Sequence, residues 1–286
     1  MNIPPGLING MRGLYSLGIR NIPPQIRYGL IYSNETIFNS IRNSNKYIWH
    51  IAAPKSGSTW LDAILRNIFE MDSKRWEIRE LVSSYDRKEQ VIDARKLMNI
   101  SFRKNVYFVH QHCRNCLETE LFIDSANIIP FLQYRDIFDT VLSYYDHLNN
   151  ESLVAPMAYM DDINWEIISD NKGIDYVIDM IIPWYFNFYA GWLSSDFYKE
   201  DKLFCIGYES LKKDTFSEVK KLLAALGMDY DDDYIKKAID LSQGQQTRKN
   251  KAKVGRGNKL SEDQKEKIIR MAQYYPEIDF SIIGIK

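Results

Sequence analysis

The chain has 286 residues, 45% of them apolar, a formal net charge of −1 and only three cysteines. That is enough apolar material for one full-sized core, too few cysteines for a disulfide scaffold, and no overall charge that would draw the chain to nucleic acid. No apolar run approaches the roughly 20 residues of a membrane span, so a reducing, cytoplasmic setting without integral membrane association is the expectation.

The N-terminus, MNIPPGLINGMRGLYSLGIRNIPPQ, lacks the basic-then-apolar order of a signal peptide. Its pairs Pro4-Pro5 and Pro23-Pro24 divide it into extended or turning pieces. Packing over the main domain is its expected role, with a membrane-surface contact through Leu7, Met11, Leu14 and Leu17 as the alternative. Tyr47 to Ala53, YIWHIAA, is a short apolar run ended by Pro54 and reads as a buried strand. From Ser58 or Thr59, the residues Trp60, Ile64, Leu65, Ile68 and Phe69 recur at helical spacing. Val106 to Val109 is a second strand. Ile128 to Tyr134, IIPFLQY, is a third, followed by a helix through Phe138, Val141, Leu142 and Tyr145. Leu203 to Ile206 is a fourth, followed by a helix from Thr215 to Leu226. Strands alternating with helices imply an α/β fold: one domain spanning 1–286, with a central parallel sheet flanked by helices. Asn149 to Gly173 reads as the most irregular part, and Ser242 to Leu260 as a polar loop.

The turn after the first strand reads PKSGSTW, Pro54 to Trp60. It lies between a strand's end and a helix's start, where unpaired N–H groups and the helix dipole favour an anion. Gly57 allows close backbone approach, Ser58 and Thr59 add hydroxyls, and Lys55 adds charge. The usual phosphate loop, G-x-x-x-x-G-K-[ST], is absent because the lysine precedes the glycine. An ordinary capped helix start is the plain alternative. PKSGSTW resembles the phosphosulfate loop, P-K-[ST]-G-[ST]-[ST]-W, of the cytosolic-type sulfotransferases. Those enzymes move the sulfuryl group of 3′-phosphoadenosine 5′-phosphosulfate (PAPS) onto an acceptor hydroxyl or amine.

The segment YRDIFDTVLSYYDH places Arg135 at a strand end and Ser143 eight residues on. It is similar to the family's 3′-phosphate motif, with Asp139 between them. A salt bridge from Arg135 to Asp136 or Asp139, and a merely helical Ser143, are the alternatives. TRKNKAKVGRGNKLS, Thr247 to Ser261, carries six basic residues and two glycines. Arg248-Lys249 match the first two positions of the family's R-K-G element, whereas Asn250 replaces its glycine, so Gly255 or Gly257 is expected to bend the loop instead. In GYESL, Tyr208 matches a tyrosine that contacts the adenine side of the nucleotide. The resemblance runs from about Tyr47 to Leu260.

VHQHC ends the second strand, and the chain's other cysteines are Cys116 and Cys205. Alternate side chains of a strand share a face, so His110 and His112 point one way while Gln111 and Cys113 point the other. Cys116 could return only through a turn, and a structural zinc site needs four converging ligands, so no metal is expected. The resemblance makes His112 the catalytic base of a K-[ST]-H pattern, with His110 standing where the family usually has lysine. Satisfied packing at a strand end is the alternative for both histidines.

The resemblance therefore implies metal-free, in-line sulfuryl transfer from PAPS, leaving adenosine 3′,5′-bisphosphate. His112 would act as base, Lys55 would stabilise the leaving oxygen, and His110 would face the transferring group. Backbone N–H groups of residues 56 to 60, from Ser56 through Gly57 to Trp60, with Ser58 and Thr59 hydroxyls, would hold the 5′-phosphate. Arg135, Ser143, Arg248 and Lys249 would hold the 3′-phosphate; Trp60 would stack on adenine or serve the core. Rival readings are a phosphate-loop phosphotransferase needing ATP and Mg²⁺, and a nucleotide-binding protein with weakened catalysis. Residues 149–173, with part of 1–45, are expected to cover the pocket of a small-molecule acceptor, and 242–260 to close over the nucleotide. Glu151, Asp161, Asp162, Glu166 and Asp170 against Lys172 suit a cationic natural product, or are solvated acids. Tyr144, Tyr145, Tyr159, Trp165, Trp184, Tyr185 and Phe188 could line a phenol or steroid pocket, or form core. Oligomeric state is not readable from the chain.

Overall fold

The computed structural model describes residues 45–81, 90, 92, 104–153, 155, 157–158, 160, 164–243 and 254–286. These fall in one compact unit, Asn45–Lys286. The expected roles of residues 1–44, Asp161, Asp162, Tyr159, Arg248 and Lys249 concern positions outside the described residues.

In chain order the elements are β1 (Tyr47–Ala52), α1 (Ser58–Met71), β2 (Trp76–Arg79), β3 (Asn105–Gln111), α2 (Leu117–Ala126), β4 (Ile128–Tyr134), α3 (Ile137–Asn150), α4 (Trp165–Tyr176), α5 (Ile182–Leu193), α6 (Asp196–Lys199), β5 (Phe204–Gly207), α7 (Tyr208–Lys213), α8 (Thr215–Ala225), α9 (Asp232–Gln243) and α10 (Glu262–Ala272). The five strands form one sheet in the order β2-β3-β1-β4-β5, and every pairing is parallel. β1 lies at the centre with all six residues buried, which explains why it is apolar but for His50: a parallel strand covered on both faces has no solvent side to mark with polar residues. On one face α1, α8 and α9 pack through Leu61, Ile64, Leu65, Ile68, Phe69, Val219, Leu222 and Ile235. Each such side chain contributes about 1.5–3 kcal/mol by burial. The other face carries α5, whose Trp192 meets Trp49 edge-on at 6.2 Å and donates from Nε1 to the Cys113 carbonyl at 2.9 Å.

Four expected strands and the helices after them are present, with ends shifted by a residue or two. β2, WEIR, was not among them, because a four-residue edge strand with two charged residues has no apolar period to read. The stretch 149–173 is not irregular throughout. Trp165–Tyr176 is helical, started by Asn164 Oδ1, which accepts the Ile167 N–H at 3.4 Å. It runs into a π-helical turn, Val177–Ile181, where the Ile182 N–H bonds the Val177 carbonyl. Pro183 follows and has no N–H to offer the preceding turn, which accounts for the local change of helical register.

One irregularity bears on the site. Trp49 pairs with Phe108, yet Ile51 pairs with Gln111, so β3 carries one residue more than β1 over this stretch. A bulge of this kind re-aims the side chains beyond it.

Candidate active site

In an open parallel sheet a ligand binds beyond the carboxyl ends of the strands, where the strand order reverses. Here the chain leaves β1 for β2 and β3 on one side and then crosses to β4 and β5 on the other. The ends of β1, β3, β4 and β5 carry PKSGSTW, His110 and His112, Arg135, and Tyr208.

The first turn is shaped from within. Lys55 (φ 63°) and Gly57 (φ 83°) both lie in the left-handed region. Ser56 is buried; its Oγ donates to the Ala53 carbonyl at 2.7 Å and its carbonyl accepts Gln133 Nε2 at 2.9 Å. The Trp60 N–H bonds the Gly57 carbonyl at 3.0 Å. The anion cradle expected from residues 56 to 60 is therefore narrower. Ser56 and Trp60 use their N–H groups inside the turn, and Gly57, Ser58 and Thr59 stand at the open start of α1.

Arg135 is buried and its Nη1 donates to the Lys55 carbonyl at 3.0 Å. Its guanidinium carbon lies 4.5 Å from the Tyr208 ring centroid, and Nη2 is 3.7 Å from Asp139 Oδ2. α3 begins two residues after Arg135, as the Arg135–Ser143 spacing requires, and Ser143 is buried on it. Asp136 Oδ1 accepts the Asp139 N–H at 2.9 Å and caps α3. Asp139 in turn accepts the N–H groups of Gly255 (2.9 Å) and Gly257 (2.8 Å). Gly255 has φ 78°, and a side chain at Gly257 would run into Phe138. Both glycines thus anchor the end of the basic segment to the arginine's own aspartate. Tyr208, at the first position of α7, lays its ring against Gly57. Trp60 meets Tyr208 edge-on at 6.4 Å, lies under Lys212 Nζ at 5.6 Å, and packs partly on the core.

Lys55 Nζ sits 3.2 Å from Glu151 Oε1, and Glu151 Oε2 lies 3.0 Å from His147 Nδ1. Burial pushes the Glu151 carboxyl up, but Lys55 and His147 outweigh it and hold it below the ordinary carboxylate value. Of the acids expected to face a cation, Glu151 is engaged with Lys55, and Glu166 is exposed at the start of α4. Tyr144, Trp165, Trp184, Tyr185 and Phe188 are buried core side chains.

His112 Nδ1 lies 2.8 Å from the Ala52 carbonyl, at the mouth of the first turn. A carbonyl can only accept, so Nδ1 carries the proton and the ring's basic lone pair is on Nε2. The backbone N–H of His112 donates to Gln90 Oε1 at 2.7 Å. The His110 and His112 rings stand 5.8 Å apart, on one face as expected, while Gln111 points the other way and accepts Trp49 Nε1 at 2.7 Å. Among the described residues no three His, Cys, Asp or Glu side chains converge as metal ligands.

Beneath the histidines lies a buried polar network that the motifs did not reveal. Asp62 Oδ1 accepts the Tyr107 hydroxyl at 2.7 Å and the His110 N–H at 3.2 Å; Oδ2 accepts Arg66 Nε at 2.6 Å. Burial raises the Asp62 carboxyl, but His110 and Arg66 outweigh it and hold it well below the carboxylate range. His50 is fully buried, 2.9 Å from Gln133 Oε1 and 3.2 Å from the Tyr107 hydroxyl, and burial pushes its pKa down to about 3. The visible signal was the presence of His50 and Gln133 in otherwise apolar central strands.

The sulfotransferase domain family matches residues 45–274 of the chain. The chain belongs to the sulfotransferase family. Its fold is that of solved relatives: a mouse sulfotransferase, SULT7A1, complexed with PAP, shares 15% identity over 88% of this chain and 93% of its own, with a TM-score of 0.58. A retinol dehydratase in complex with androsterone and inactive cofactor PAP shares 12% identity over 86% of this chain and 84% of its own, with a TM-score of 0.42. No curated protein matches the sulfotransferase. No described helix is long and apolar enough to cross a membrane.

Proposed function

We propose that this sulfotransferase moves the sulfuryl group of PAPS to the hydroxyl of a small-molecule acceptor in a cytoplasmic setting, with His112 as the base. The residues fit such a donor. Gly57 to Thr59 open the N-terminus of α1 toward the 5′-phosphosulfate, Lys55 supplies charge there, and Arg135 stands with Ser143 on the 3′-phosphate side. His112 takes the acceptor's proton on Nε2 as the acceptor oxygen bonds to sulfur. The bond from sulfur to the 5′-phosphate oxygen breaks, and Lys55 stabilises the charge left on that oxygen. Holding donor and acceptor in line supplies much of the acceleration.

The observation that carries the reading is the His112 Nδ1 contact to the Ala52 carbonyl, because it fixes the tautomer a base needs beside the phosphosulfate turn. A cationic acceptor has weaker support, since Glu151 is already paired with Lys55 and His147. The test is His112→Ala. Turnover with PAPS should fall by about 10²–10⁴-fold, the scale of a lost general base, while calorimetry finds adenosine 3′,5′-bisphosphate bound as before. Substantial residual turnover removes His112 from the role.

A further inference from the structure

Tyr107 and His110 are three residues apart on one strand and would face opposite sides of a regular sheet. Both nevertheless meet the same carboxylate. The Tyr107 hydroxyl donates to Asp62 Oδ1 at 2.7 Å, the His110 N–H reaches that oxygen at 3.2 Å, and His110 Nδ1 lies 3.6 Å from Asp62 Oδ2. The extra residue of β3 between Phe108 and Gln111 turns the His110 ring onto α1 and its aspartate. Nδ1 is buried without a hydrogen-bond partner, its approach to Asp62 being one of ion-pair distance only, and 25% of the His110 side chain stays exposed. The groups around this ring are Asp62 from α1 with Arg66 bonded to it, His50 from β1, Tyr107 from β3, and His112 just beyond the end of β3. Only Asp62 among them is an anion, and Arg66 bonds it from the far side of the helix turn, four residues on.

We propose that Asp62 is a positioning residue that holds His110 by Nδ1 and turns Nε2 toward the transferring group, so that the Asp62–His110 pair does the work a single lysine would do. The inference rests on the PAPS reading above. With Nδ1 directed at one anion and Nε2 at the oxygens of another, the imidazole bridges two negative groups. No bond to His110 forms or breaks. It donates to a sulfuryl oxygen while the sulfur passes from the phosphate oxygen to the acceptor oxygen. A lysine needs no such partner because its charge is its own; a histidine depends on its surroundings for it. Aspartate is short enough to sit inside α1 with no more than a small part of it exposed, and its cost of burial is met by the Tyr107, Arg66 and His110 donors.

The test compares intact PAPS with adenosine 3′,5′-bisphosphate, which lacks the sulfuryl group. Binding of each is measured by calorimetry without acceptor, so the readout does not require turnover. Asp62→Asn should weaken PAPS about tenfold, the scale of a lost charge-assisted contact, and leave the bisphosphate unchanged. His110→Ala should do the same. In a His110→Lys background Asp62→Asn should cost less than about twofold, because the lysine brings its own charge. If Asp62→Asn fails to fold, the His110→Ala and His110→Lys pair still decides: alanine must lose the preference for PAPS and lysine keep it. Equal weakening of both nucleotides, or an equal cost of Asp62→Asn in the two backgrounds, reduces Asp62 to a structural role and overturns the proposal. Failure of the wild type to bind either nucleotide would instead overturn the donor assignment, and this proposal with it.

Discussion

Replacing Gly57 by alanine should damage the protein twice over, and the two parts can be separated. Gly57 has φ 83°, a conformation that costs an alanine about 1–2 kcal/mol. Its new methyl would lie 2.5 Å from Tyr208 Cδ2 and 2.8 Å from Cε2. The ring cannot swing away cheaply, since Tyr208 is buried and sits against the Arg135 guanidinium at 4.5 Å. Overpacking of this kind costs about 1–3 kcal/mol. The sum, about 2–5 kcal/mol, corresponds to a melting temperature lower by roughly 4–10 °C for a chain of this size. Displacing Tyr208 also shifts Arg135, so adenosine 3′,5′-bisphosphate should bind at least tenfold more weakly by calorimetry. A smaller side chain at 208 removes the clash but not the backbone strain. Gly57→Ala added to Tyr208→Leu should therefore cost only about 1–2 kcal/mol. A Gly57→Ala protein that melts within a degree of wild type and binds the nucleotide normally would refute the reasoning, as would an equal cost in both backgrounds.

Arg135→Ala should weaken the bisphosphate by about 10–100-fold, the range for a bidentate charged contact; unchanged binding places the 3′-phosphate elsewhere. Asp139→Asn keeps the size of the side chain but loses the charge behind two acceptor bonds to Gly255 and Gly257. It should cost about 1–3 kcal/mol in denaturant unfolding and loosen the end of the basic segment, read as faster proteolysis near residue 255; an unchanged cleavage pattern counts against that anchor. Stability should also fall with acid in a specific way. His50 is held neutral down to about 3 by burial, whereas an unfolded histidine protonates near its ordinary value of about 6.5. Between those values the unfolded state binds the extra proton, so stability is lost as pH falls, by up to about 1.4 kcal/mol per pH unit. Above the ordinary value His50 contributes no slope. Urea unfolding at stepped pH should show a shallower acid limb for His50→Asn, and an identical limb would mean that His50 is not the group that titrates.

Much of the fold was legible because a central parallel strand is largely apolar on both faces, and because each βα turn has its own punctuation. Tyr47 to Pro54, Ile128 to Arg135 and Leu203 to Tyr208 could be found that way, and with them most of the residues expected to face a phosphate. β2 was hidden by its shortness, and α4 by the polar composition of Trp165–Tyr176, whose fixing contacts lie in distant segments: Asp175 accepts Gln264 Nε2 at 3.1 Å. Within the site, chain-local features were readable and cross-chain ones were not. Nothing near Glu151 in sequence shows that it would pair with Lys55, 96 residues away. Asp62 looks like an ordinary helical acid of α1 until Tyr107 and His110 are seen on it.

The alternation rule placed His110 and His112 together, and they do lie together, but for a further reason. Period-two reasoning alone would set His110 opposite Tyr107 and Val109, on the sheet face away from α1. The register slip between β1 and β3 reverses that assignment and brings the strand's end over Asp62 and His50. A bulge leaves no mark on composition, because it is a property of the pairing and not of either strand. The consequence is chemical. His112 obtains a backbone carbonyl that fixes its tautomer, and His110 obtains a buried carboxylate, so two histidines that are alike in sequence are prepared for different work.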